Sequence, residues 1–274
     1  MFILEGEISM EIIANHAHIF QNEVREDGSV EALMKFLDEC KIDKAVCFAP
    51  FDSYFNGTGE TPSRWMYEQI KNNDRLMAFG TIDFTKDNLK EQAEEIYQLG
   101  LAGIKMHPAF QRFKVDGERA CQVYEIAEKR GLPISFHTGI HWHRISSYNT
   151  LLYDEVVYKY PEIKICMEHV GGYSFFNEAV AVMCNNPGKV YAGLTSVFHR
   201  DTHKYWYLGK EKVKELIWLT GIEQCVFGLD FPYTEHYQII DAMKQMRECI
   251  EEMSLDQSAE EKVFGRNLLN MIEK

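Results

Sequence analysis

Two histidines one residue apart, His16 and His18, stand at the end of the apolar run Met10-Glu11-Ile12-Ile13-Ala14. Side chains on a strand alternate faces, so residues i and i+2 project together. Two neutral imidazoles held side by side suit a borderline ion such as zinc. Similar chemistry recurs where later apolar runs end. Lys105 and His107 close Gly103-Ile104-Lys105-Met106-His107-Pro108, and His137 closes Leu132-Pro133-Ile134-Ser135-Phe136-His137. His169 follows Ile163-Lys164-Ile165-Cys166-Met167-Glu168, and Asp230 follows Val226-Phe227-Gly228-Leu229. A single histidine at a strand end is more often a hydrogen-bonded structural residue than a ligand, and a lone aspartate there commonly caps the next helix. Imidazoles at three such ends and a carboxylate at a fourth, in a chain with only ten histidines, point to a metal site.

The elements that must position these groups alternate along the chain. Candidate strands span 10–15, 44–49, 76–82, 101–106, 132–137, 163–168, 190–195 and 224–229. Candidate helices span 30–40, 62–73, 86–99, 117–130, 150–160, 173–185, 209–220 and 236–252, each with apolar positions three or four apart. Gly100, Gly131 and Gly221 follow helix ends, where a left-handed residue is often needed. Eight such pairs predict an α/β fold, a single-domain (β/α)8 TIM barrel, which places active-site groups where its strands run out. A doubly wound open sheet is the alternative, but it calls for a glycine-rich turn after the first strand, and His16-Ala17-His18-Ile19 is not one. The barrel is expected over 10–274, with 1–9 a short N-terminal extension.

Composition narrows the class of partner. The 274 residues are 46% hydrophobic and 26% charged, ordinary for a globular protein, with no linker-like tract. The formal net charge of −13 without a basic stripe argues against nucleic acid, and no apolar stretch is long enough to span a membrane. The first residues carry Glu5 and Glu7 rather than a basic leader, and the seven cysteines are scattered and odd in number. Reduced thiols in a cytoplasmic protein are the expectation.

Five segments, in order, carry a family resemblance. They are Asn15-His16-Ala17-His18-Ile19-Phe20, Gly103-Ile104-Lys105-Met106-His107-Pro108, Phe136-His137-Thr138-Gly139, Glu168-His169-Val170-Gly171-Gly172 and Gly228-Leu229-Asp230-Phe231-Pro232. With Val263-Phe264-Gly265-Arg266-Asn267-Leu268-Leu269 near the C-terminus, the chain resembles the amidohydrolase superfamily, in its amidohydrolase-related group of hydrolases and decarboxylases. The resemblance implies that His16, His18, His137 and Asp230 ligate one divalent metal, zinc first and manganese as the alternative. It also implies that His169 lies beside the ion, as a general acid/base or, as in some relatives, as a further metal ligand. Asp230 would accept the proton of a metal-activated water. Two positions depart from the family pattern. Asn15 stands where an aspartate is common, and Lys105 sits in a context resembling the mononuclear members, which favours an unmodified lysine facing the substrate.

His107 shares a face with Lys105 by alternation and is a candidate for the substrate shell or for loop structure. Arg112, with other basic and imidazole groups in the loops after strands four, five and seven, would draw in a small carboxylate. His141-Trp142-His143 lies inside a loop, where alternation fixes no geometry, and is not assigned a metal. The expected function is hydrolysis of a C–N or C–O bond in a small carboxylated, anionic molecule. Its rival is non-oxidative decarboxylation of a cyclic or aromatic acid on the same ligands. A nuclease-like barrel is disfavoured by the Gly-Ile-Lys-Met-His-Pro segment, and a non-catalytic metal-binding barrel by the complete ligand set. Barrels of this kind often pair through their outer helices, so a homodimer is the default assembly.

Overall fold

A computed structural model describes residues 10–57 and 59–273; the extension expected at 1–9 lies outside the described residues. Its strands are β1 Ile13–His18, β2 Lys44–Phe48, β3 Leu76–Thr81, β4 Gly103–Met106, β5 Ile134–His137, β6 Ile165–Glu168, β7 Val190–Leu194 and β8 Cys225–Phe231. Each pairs in parallel with its neighbour in sequence, and β8 pairs with β1, so the sheet closes into the expected TIM barrel. The helices are α1 Val30–Cys40, α2 Pro62–Ile70, α3 Leu89–Gln98, α4 Pro108–Gln111, α5 Glu118–Arg130, α6 Leu152–Lys159, α7 Gly172–Asn185, α8 Gly209–Thr220 and α9 His236–Glu252. Two short helices, α10 Ser258–Glu261 and α11 Asn267–Ile272, follow around a wide turn over Lys262–Arg266.

Period-two alternation sorts the strand residues into two cores. Ile104 and Met106, Ile134 and Phe136, and Ile165 and Met167 face outward and pack in the layer between sheet and helices. Ile13, Val46, Phe48, Phe79, Cys166, Tyr191 and Val226 fill the barrel interior, where Leu268 and Met271 of α11 join them. Those inward residues include the starts of β1, β7 and β8, so α11 closes the barrel's N-terminal end. The C-terminal end is left for polar groups. On β8 the inward face continues from Val226 through Gly228 to Asp230, and on β6 from Cys166 to Glu168.

Strand β1 breaks the alternation. Its register shifts between Ala14 and Ala17 against β2, where three steps on β1 match two on β2. His16 sits in this bulge with φ 68°, in the left-handed region rare for residues other than glycine. The extra residue turns Asn15 and His16 both toward the interior and keeps Ala17 in the outer core. Strict alternation would have put His16 and His18 on the outward face with Ala14. The predicted strands begin early for a related reason. Leu101, Leu132 and Ile163 are apolar and buried but precede the ladders of β4, β5 and β6.

Candidate metal centre

The C-terminal ends of β1 and β8 bring three side chains together. His16 Nε2 lies 3.0 Å from His18 Nε2. Asp230 Oδ1 lies 3.4 Å from His16 Nε2 and 3.7 Å from His18 Nε2. Atoms about 2.0–2.2 Å from a tetrahedral zinc stand about 3.3 Å apart, so the triangle has the size of a coordination shell.

Glu168 fixes how this cluster is protonated. Its Oε2 accepts from His16 Nδ1 at 2.8 Å and from Thr195 Oγ1 at 3.1 Å. Its Oε1 accepts from Asn15 Nδ2 and Ser135 Oγ, both at 2.7 Å. A carboxylate accepts only, so His16 carries its proton on Nδ1 and turns the Nε2 lone pair toward His18 and Asp230. Four donors satisfy this wholly buried group, which an unpartnered carboxylate could not tolerate. Gly193 on β7 makes room for it, since a Cβ there would overlap Glu168 Oε2. Residue type and spacing alone assign Glu168 no role. Its inward register with Cys166, one residue before His169, was the available signal.

Asp230 sits at φ 56°, 2% exposed, with Oδ2 accepting from Ser196 Oγ at 2.8 Å. Burial pushes its carboxyl up to about 6, against the opposing hydrogen bond from Ser196 and the charge of Lys105. Burial also holds His16, His18, His137 and His169 well below the usual imidazole range. Neutral imidazole is the form that ligates a metal.

His137 and His169 face the same cavity. His169 Nδ1 donates to the Thr195 carbonyl at 2.8 Å, which leaves its Nε2 as an acceptor. Its ring stacks on Trp206 at 4.2 Å and lies 4.7 Å from that of His137. His137 stands outside the 4.8 Å cluster of His16, His18 and Asp230, and its buried Nε2 has no partner. His16, His169, Ser196 and Asp230 all hold left-handed backbone at this end of the barrel, the kind of strain that concentrates at functional sites.

The cavity above the cluster encloses about 480 Å³ and has aromatic walls, including Phe20, Phe51, Tyr54, Phe110, Trp206 and Tyr233. His107 lines it, stacked on His137 at 4.0 Å. Lys105 does not line it. Its side chain is 1% exposed beneath the floor, where Nζ donates to Ser135 Oγ at 3.5 Å and lies 4.5 Å from the Phe48 ring centre. Arg112 is exposed at the C-terminus of α4 and is also outside the cavity lining. All seven cysteines are free, and no helix among the described residues is long and apolar enough to cross a membrane.

A family model described as Amidohydrolase matches residues 42–267. No curated relative matches the sequence. Among solved structures, 5-carboxyvanillate decarboxylase LigW from Sphingomonas paucimobilis superposes with a TM-score of 0.70 at 14% identity, covering 96% of this chain and 99% of that one. A dihydroxybenzoic acid decarboxylase from Polaromonas sp. JS666, with bound manganese and the inhibitor 2-nitroresorcinol, gives 0.70 at 15% identity, covering 96% and 97%. A probable 2-pyrone-4,6-dicarboxylic acid hydrolase from Acinetobacter baumannii, with citric acid bound, gives 0.66 at 13% identity, covering 97% and 100%. At these identities the likeness is one of fold.

Proposed function

This chain belongs to the amidohydrolase family, and we propose that it is a metal-dependent hydrolase of a small planar acid, holding one divalent ion with His16, His18, His137 and Asp230. The observation that carries this reading is the convergence of His16 Nε2, His18 Nε2 and Asp230 Oδ1 at the cavity floor. The residues fit such an ion. The His16 lone pair is aimed into the cluster by Glu168, and His137 Nε2 is buried without a partner at the same cavity. An ion there supplies Lewis acidity, which makes water nucleophilic near neutral pH and polarises a substrate oxygen.

The chain's own groups supply the rest. Asp230, whose Oδ1 faces the cluster while Oδ2 is held by Ser196, accepts the proton of the attacking water and returns it to the leaving atom. His169 Nε2 accepts a hydrogen bond from the reacting group, while Thr195 and Trp206 hold the ring in place. The aromatic walls select a flat molecule and exclude water from its faces.

The same walls favour a second reading, decarboxylation of a cyclic or aromatic acid. It fits a flat ring held over a site where His169 or Asp230 delivers a proton to carbon. Isotope labelling separates the two on a panel of planar acids. Hydrolysis places ¹⁸O from water in the product, whereas decarboxylation releases CO₂ and places deuterium from D₂O on carbon.

Elemental analysis should find about one divalent ion per chain in purified protein. Asp230→Asn should keep the fold and lose at least about a hundredfold in turnover. Protein with no metal, and no gain on adding zinc or manganese, overturns the proposal. An Asp230→Asn variant that turns over normally overturns the role of that residue.

A further inference from the structure

Three imidazoles outside the floor cluster meet at one side of the cavity. His107 follows β4, and His141 and His143 lie in the loop after β5; one ring nitrogen of each lies within 4.8 Å of the other two. Ring centres are 5.5 Å apart for His107 and His143, 6.0 Å for His107 and His141, and 6.1 Å for His141 and His143. His107 is the fixed member. It is 5% exposed, its ring stacks on His137, and its backbone N–H donates to Gln111 Oε1 at 2.7 Å.

The proton on His107 can be placed. Its Nδ1 accepts from the Phe110 backbone N–H at 3.4 Å, so neutral His107 carries its proton on Nε2. That Nε2 is buried and has no partner. A buried N–H left unpaired is costly, and the ring lines an open cavity. The group lacks an acceptor.

Charge decides which acceptor suits it. The strongest electrostatic influences on His107 are Lys105 and the imidazoles of His141, His143 and His169; none is a carboxylate. On His143 the neighbouring charge is that of Arg112. The floor cluster differs, since it contains Asp230 and leans on Glu168. A cluster made of neutral imidazoles, with no carboxylate of its own and Arg112 as the charge beside His143, suits an anion better than a dication.

We propose that His107, His141 and His143, with Arg112 behind them, form a subsite for a carboxylate oxyanion, in which His107 Nε2–H is the buried donor. The Phe110 ring, 5.8 Å from both His107 and His143, gives the remainder of such a ligand a flat surface. The subsite deepens the functional reading by naming an anionic anchor beside the reaction centre, and in that sense rests on it. Binding itself needs no metal at the floor, so the two can fail separately.

The test is titration of the metal-free protein with benzoate, followed by calorimetry and by the His107 Nε2–H signal in histidine-labelled protein. Wild type should bind benzoate and shift that signal. His107→Leu should weaken binding at least about tenfold, and His107→Gln, which keeps a donor at similar reach, should retain most of it. His143→Ala in the loop gives an independent loss of about the same size should His107→Leu fail to fold. Benzoate binding that is equal in wild type, His107→Leu and His143→Ala overturns the proposal. So does a second equivalent of zinc bound by wild type and lost in His141→Ala/His143→Ala, which would make the cluster a cation site.

Discussion

Glu168 does not itself line the cavity, yet four polar side chains point at its two oxygens. One of them is His16 Nδ1, so this carboxylate sets which nitrogen of His16 is free to ligate. Partners of this kind typically control metal affinity by 10–100-fold. Glu168→Gln should therefore weaken zinc binding by about that factor while the barrel still folds, because the amide offers one acceptor and one donor to four donors. Competition with a chromophoric chelator measures the effect, and an unchanged zinc affinity would leave Glu168 a purely structural group. Gly193→Ala approaches the same carboxylate from β7, where a methyl overlaps Oε2, and should shift affinity in the same direction. Glu168 was also the least legible residue of the site. The histidines and Asp230 stand out by type at strand ends, whereas a buried glutamate announces itself only through its donors, and Asn15, Ser135 and Thr195 come from β1, β5 and the residue that follows β7.

At the scale of elements, strand ends were legible and local departures from regular backbone were not. Asp230 and His137 close apolar runs because β8 and β5 deliver their last residues to the polar end of the barrel. The bulge that brings His16 inward depends on a left-handed non-glycine residue, for which the sequence carries no marker. The segment between β7 and α8 was similarly hidden. It folds back on itself, with the Leu208 and Gly209 N–H groups both donating to Val197 O, and so sets Trp206 against His169. Trp206 Nε1 then donates to Ile140 O at 3.0 Å, tying this loop to the one after β5. Trp206→Ala should destabilise by about 2–3 kcal/mol, since the side chain is only partly buried. Trp206→Phe keeps an aromatic ring and loses the indole bond, at a cost of about 1 kcal/mol. Urea unfolding distinguishes them; equal losses would mean that the stack on His169 contributes nothing.

The whole molecule carries a formal charge of −13 but gathers its neutral imidazoles at one end of the barrel. Burial holds His16, His18, His107, His137 and His169 well below the usual range and His203 down to about 4. Unfolded histidine takes up a proton near pH 6.5. Below that pH the unfolded chain binds protons that the native state refuses, so stability present above about 6.5 drains away as the pH falls. Asp230 acts in the opposite sense. Burial raises it to about 6, so its protonation favours the native state as the pH falls, but one carboxyl does not offset six imidazoles. Metal-free protein should consequently be less stable at pH 5.5 than at pH 7.5. A bound ion would keep the sign, because a ligating imidazole also refuses a proton. Urea midpoints at the two pH values measure the effect, and equal midpoints would show that the buried histidines take up protons in the native state.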